Sequence, residues 1–251
     1  MDRLGEKKID KYGIEMEIIE YKNCHNIIVR FNDGFGALVK TRYDCFEKNN
    51  IKNPYRKSFC GVGYLGQGKY NSVNSRKILD CWQNMLKRCY DKEYQKKNPT
   101  YKNCEVCEEW LNFQNFAKWY EENYYNIGES LFLDKDILCK GNKIYSPETC
   151  ILVPRLINNL FTKRQNERGE SSIGVRPYKD TNKFITIISE THRNGKTKRK
   201  HLKICDTEEE AFNIYKNYKE KLIKEIADEY KEDIPYNLYL ALYKYEVDIN
   251  D

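Results

Sequence analysis

Cys104 and Cys107 are separated by two residues, the spacing at which two thiolates can share a zinc ion, and Cys89 lies upstream. A zinc site needs about four ligands, and no second Cys-x-x-Cys or neighbouring His completes this one, so structural Zn²⁺ is disfavoured. GVGYLGQGKY (61–70) holds four glycines. Such a loop can cradle phosphate, but it lacks the Lys-Ser/Thr ending and the helix start of a nucleotide loop, so it reads as a linker. The strongest chemical signal is charge. The chain's net charge is only +6, yet residues 163–205 carry 12 basic and 4 acidic side chains, and residues 206–251 carry 6 basic and 13 acidic ones. A basic block of that density is what contact with a phosphate backbone requires.

The composition is that of a globular protein, with 251 residues, 40% hydrophobic, 33% charged and 21 Tyr. There is no run of ~18 apolar residues to span a membrane. The N-terminus MDRLGEKKIDKYG lacks the apolar stretch of a secretory signal, so a cytoplasmic protein is expected. In that compartment the ten cysteines are expected to be free thiols, with Cys81 and Cys150 packed as small hydrophobes in apolar-patterned segments.

The elements that must position these groups can be read from periodicity. IEMEIIEY (14–21) alternates, with Ile14, Met16 and Ile18 on one face; IIVRF (27–31), the Asn32-Asp33-Gly34 turn and FGALV (35–39) follow. Together they predict a small antiparallel, barrel-like module over 1–72. Ile78, Leu79, Trp82, Met85, Leu86 and Cys89 recur at three- and four-residue spacing and predict a helix capped by Ser75; Trp110, Phe113, Phe116, Ala117 and Tyr120 predict a second. In LFLDKDILCKGNKIYSPETCILVPRLINNLF (131–161) the pattern predicts a strand (131–134), a polar loop, a strand (150–153) and a helix from about Pro154. This ββα unit closes a middle domain over 73–162.

After a charged, linker-like stretch (162–172), SIGVR (172–176), KFITIIS (183–189) and KRKHLKI (198–204) predict three strands, with Asn194-Gly195 turning the second hairpin. Thr207-Glu208-Glu209-Glu210 reads as a capping box for a helix faced by Ala211, Tyr215, Tyr218, Leu222 and Ile226. A last amphipathic stretch starts near Pro235 and carries Leu238, Ala241, Leu242 and Tyr245. The fold class expected is α+β: an N-terminal antiparallel β module, a helical plus ββα middle domain, and a C-terminal three-stranded sheet packed on a helix over 163–251.

The ββα unit resembles the HNH (His-Me finger) nucleases. In that family the first strand ends in an acidic metal ligand followed by a general-base His, and the helix carries a second ligand, His or Asn. The resemblance implies Asp134 as the first ligand and Asn158 as the second, with Lys135 at the His position. A histidine near ~6.5 can activate water at neutral pH, whereas an ammonium near ~10.4 cannot without a large shift. The chain's three histidines, His25, His192 and His201, all lie outside the unit. One branch of the family, of restriction enzymes, carries Arg there and uses a tyrosine nucleophile, in the order Asp, basic residue, Tyr-Ser-Pro turn, helix Asn. The same order stands here as Asp134, Lys135, Tyr145-Ser146-Pro147 and Asn158, with a longer loop before the tyrosine that leaves Asp136 as an alternative to Asp134. What this implies is Mg²⁺ or another divalent cation on Asp134 (or Asp136) and Asn158. Tyr145 would be the nucleophile and Lys135 would stabilise its phenolate.

Residues 172–212 resemble the Apetala, or ethylene-response-factor, DNA-binding domain, on Ser172-Ile173-Gly174-Val175 and Thr207-Glu208-Glu209-Glu210-Ala211-Phe212. That family lays its sheet in the major groove, which implies DNA contacts from Arg176, Tyr178, Lys183, Lys198, Arg199, Lys200 and Lys203. The family's glycine after the third-strand Leu is replaced here by Lys203. A nuclease core followed by such a domain is an arrangement of phage and homing-endonuclease-like genes. Three functions are therefore expected in descending order. The first is a metal-dependent DNA endonuclease. The second is a DNA-binding regulator on a catalytically silent HNH scaffold, and the third a mobile-element inhibitor acting on another protein. The partner expected is double-stranded DNA, with no membrane; a homodimer and an RNA substrate are left open.

Overall fold

The computed structural model describes residues 3–162 and 171–249. Most of the charged stretch expected to act as a linker lies outside the described residues. The fold is mixed α+β, with an N-terminal antiparallel sheet and a C-terminal three-stranded antiparallel sheet with its helix.

Strand alternation builds the N-terminal sheet. β1 (Lys7–Ile9), β2 (Glu15–Asn23), β3 (Asn26–Phe31) and β4 (Leu38–Thr41) pair in that order, all antiparallel. Met16 and Ile18 of β2 and Ile27, Val29 and Phe31 of β3 bury one face against Phe46 of α1 (Tyr43–Glu47). β1 and β4 are edges, so the sheet is an open meander rather than the expected barrel-like module. β4 begins at Leu38 rather than Phe35 because the Asp33 carboxylate accepts from the amides of Phe35 and Gly36 (3.0 and 3.1 Å) and commits them to the turn.

α2 (Arg76–Tyr90) buries Leu79, Trp82, Met85, Leu86 and Cys89, as its spacing predicts. Ser75 occupies the cap position, but its hydroxyl donates to Asn74 (2.7 Å) and caps nothing. α3 (Lys92–Lys97) is capped instead by the Asp91 side chain. Trp110 lies in a 3₁₀ turn (Glu108–Leu111) after the short β5 (Glu105–Val106), so α4 runs Phe113–Asn123. The glycine-rich loop is not a linker. It lies against these helices: a Cβ on Gly63 would stand 2.4 Å from Leu86 Cδ1 and 2.9 Å from the Trp82 ring. Gly63→Ala is therefore expected to lower stability by about 1–3 kcal/mol, read from the urea midpoint.

In the C-terminal part, β6 (Leu131–Asp134) and β8 (Ile151–Pro154) pair antiparallel, with Asp134 opposite Ile151, and the two-residue β7 (Ile144–Tyr145) lies in the loop between them. α5 (Arg155–Leu160) packs on β6 and β8, completing the ββα unit. β9 (Val175–Pro177), β10 (Phe184–Thr191) and β11 (Thr197–Cys205) form a sheet of order β11-β10-β9. α6 (Glu208–Glu229), capped by Thr207 through the Glu210 amide (3.2 Å), packs on all three strands, and α7 (Tyr236–Tyr243) packs on α6. Gly174 enters β9 at φ +75°, with no room for a Cβ against the Tyr215 ring of α6.

Ile151, Val153 and Ile157 of the ββα unit share one core with Val175 and Ile188 of the sheet and with Leu222, Ile223, Ile226 and Tyr230 at the α6 end. The Tyr230 hydroxyl adds hydrogen bonds of 3.1 Å to both Glu129 carboxylate oxygens. By compactness the chain divides once, between Glu122 and Asn123, which groups the ββα unit with the C-terminal sheet. The sequence divisions at 72/73 and 162/163 follow composition and pattern instead.

Candidate functional site

Asp134 ends β6 with its Oδ1 accepting from the backbone amides of Asp136 and Ile137, both at 2.8 Å, which turns the chain sharply. Burial raises its carboxyl above the ordinary aspartate range, although those two amides act in the opposite sense. Lys135 follows with only 5% of its surface exposed. Its ammonium donates to both Asp136 oxygens (2.7 and 2.8 Å) and to the Asn142 carbonyl (2.6 Å). It also stands 5.8 Å from the centre of the Tyr145 ring. The Asn142 amide donates to the carbonyls of Lys135 (2.9 Å) and Ile144 (2.6 Å), folding the loop back on itself. Tyr145 is 2% exposed, and the turn after it is fixed by the Ser146 and Thr149 hydroxyls (3.1 Å).

Lys135, Asp136 and Tyr145 are thus brought together. Asn158 stands half-buried on α5, the helix packed against the strand that carries Asp134. Asp134 and Asn158 offer the hard oxygens that a Mg²⁺-like cation takes, although Asp134 Oδ1 is already engaged by two backbone amides. Asp136 does not, because both its oxygens are engaged by the Lys135 ammonium, whose charge competes with a metal. Among the described residues no three His, Cys, Asp or Glu side chains gather as a metal-binding group. Cys104 and Cys89 are buried, and burial pushes the Cys150 thiol up to about 12, which makes it an inert packing group.

The C-terminal sheet has two unlike faces. Val175, Thr186, Ile188 and Cys205 point to α6 and are buried. The register pairs Arg176 with Ile185, Ile185 with Ile204, Ile187 with His201 and Ser189 with Arg199, and these residues alternate onto the other face. That outer face carries Arg176, Arg199 and His201, exposed and without a carboxylate partner among the described residues, around half-buried Ile185 and Ile187. Tyr178 lies at the rim, 40% exposed, in the turn closed by its amide donating to the Lys183 carbonyl (2.8 Å).

The seven expected contact residues therefore divide. Arg176, Arg199, Tyr178 and the exposed Lys198 are available. Lys183 is paired with Asp206 (2.9 Å) and Lys203 with Glu210 (2.8 Å). Lys200 turns to the helix side, where its ammonium donates to buried Glu190 (2.8 Å) and to the Tyr218 hydroxyl (2.7 Å). His201 was not among the expected residues. Period-two counting from buried Ile188 and its partner Lys200 would have found it.

Lys200→Ala is accordingly expected to lower the urea unfolding midpoint, because Glu190 is left buried without its cation. Burial pushes the Glu190 carboxyl up, but the bonds from Lys200 and Tyr218 outweigh it and hold the group below the ordinary range. A depressed carboxyl contributes stability above its unfolded value near ~4.3 and loses it as pH falls through the folded value. The gap between wild type and Lys200→Ala in urea unfolding should therefore be full at neutral pH and shrink in acid.

Comparison of the chain with known proteins finds no matching family, curated protein or solved structure.

Proposed function

We propose that this protein binds double-stranded DNA through the outer face of the β9–β11 sheet and cleaves it as a metal-dependent endonuclease of HNH type. The observation that carries this reading is the shared core: the ββα unit holding Asp134, Lys135, Tyr145 and Asn158 buries Ile151, Val153 and Ile157 in the same cluster as Val175 and Ile188 of the arginine-bearing sheet and Leu222, Ile223 and Ile226 of α6. A duplex held by the sheet therefore has one fixed relation to the ββα unit.

Arg176 and Arg199 would supply forked donors to phosphates or guanine edges, and Ile185 and Ile187 an apolar floor between them. A divalent cation on Asp134 and Asn158 would neutralise a non-bridging phosphate oxygen and the leaving 3′ oxygen. Lys135, locked by Asp136 and Asn142 beside the Tyr145 ring, would hold positive charge near that phenol and favour its phenolate.

The test is plasmid nicking with Mg²⁺ or Mn²⁺ by wild type, Tyr145→Phe and Asn158→Ala. Cleavage lost in both variants, with duplex binding retained, is the expected result. The burial of Tyr145 favours a second reading, a DNA-binding regulator on a silent scaffold. Intact, salt-sensitive binding by a wild type that never nicks would select it.

A further inference from the structure

A cavity of about 90 Å³ is lined by Asn159, Phe161 and Thr162 at the end of α5, by Tyr215 and Lys219 of α6, and by Tyr245 beyond α7. Among the described residues lining it, Lys219 is the one charged group, and no carboxylate faces it. Two neighbouring lysines of α6 are paired, Lys216 with Glu220 (2.9 Å) and Lys221 with Glu225 (3.6 Å). Lys219, half-buried, has no such partner among the described residues, and its partial withdrawal from water pushes its ammonium down to about 8. A cation withdrawn from water without a counter-ion is destabilising, and an anion delivered to it relieves that cost.

A cavity of this volume has room for one tetrahedral oxyanion. Tyr245 and Phe161 wall the site with rings 4.6 Å apart between centres. Lys140, 5.0 Å from the Tyr245 ring centre, adds positive potential on that side.

We infer that this cavity binds a small oxyanion of phosphate type, with the Lys219 ammonium as its counter-ion and the Asn159 amide as a further donor. The inference is independent of the DNA reading, since none of these residues lies on the sheet.

The experiment is thermal unfolding of the full chain in sodium phosphate against sodium chloride at matched ionic strength. Wild type, Lys219→Met, Lys219→Arg and Lys216→Met would be compared. Phosphate should raise the wild-type Tm in a saturable way. Lys219→Met should weaken that response at least about tenfold, while Lys219→Arg and Lys216→Met keep it. Lys219→Met should also be no less stable than wild type in chloride, because an uncompensated cation has been removed. An equal response to both salts in wild type, or an unchanged phosphate response in Lys219→Met, overturns the inference.

Duplex affinity then separates the sources of the anion. If phosphate competes with DNA and Lys219→Met weakens duplex binding, the anion is a backbone phosphate. If duplex binding is unchanged while the phosphate response is lost, it is a free oxyanion.

Discussion

Trp82→Ala is expected to destabilise the N-terminal unit by about 3–5 kcal/mol, the largest effect of any single substitution considered for this protein. Trp82 is fully buried on α2. Its indole donates to the Trp110 carbonyl at 2.7 Å and packs against the rings of Phe59 (4.9 Å) and Phe113 (5.5 Å). Truncation opens a cavity and also leaves that carbonyl without its donor, so the two costs add. The remaining tryptophans, Trp110 and Trp119, both precede Asn123, so tryptophan fluorescence during urea unfolding reports on this unit alone. The fluorescence midpoint should fall sharply in the variant. A shift worth less than about 1 kcal/mol would mean that the aromatic cluster is not the core of this unit.

Arg176→Ala combined with Arg199→Ala is expected to weaken duplex binding by about 2–4 kcal/mol, roughly 30- to 1000-fold. It should also reduce the slope of log K against log salt by about 2. The two side chains project from the same face and have no carboxylate partners among the described residues, so both are available to phosphates or bases. Lys183→Ala and Lys203→Ala should each change affinity by less than about threefold, because Asp206 and Glu210 already hold those ammonium groups. Equal losses from all four substitutions would point to a diffuse basic surface rather than a sheet-borne site.

The parts of this architecture that were legible in the sequence are those with strong local periodicity. Met16, Ile18, Ile27, Val29 and Phe31 announced their strands, and Leu79 through Cys89 announced α2, because burial of one face repeats at the period of the element. β1 and β7 leave no signal in the sequence, since three and two residues are too few to show alternation. The roles of Lys200 and His201 could not be read from charge alone. They depend on which face each occupies, and the irregularity between Ile185 and Ile187 shifts the pairing along β11. Of the α6 stripe expected from the sequence, Ala211, Tyr215, Leu222 and Ile226 are buried, whereas Tyr218 is half-buried and accepts from Lys200; Lys219 lies beside the same stripe, and a lysine there is itself a signal. Of the nuclease-like set, the order of residues was visible, but the clamp of Lys135 on Asp136 depends on how the loop folds back through Asn142.

The central claim, that DNA lies on the outer face of the β9–β11 sheet, is tested most directly by photo-crosslinking. A p-benzoylphenylalanine would be incorporated at Ser189, exposed on that face, or at Asn217, exposed on α6. Irradiation with a labelled duplex should yield a salt-sensitive covalent adduct from position 189 and none from position 217. An adduct from position 217 alone would contradict the account and move the DNA to the helix side of the domain.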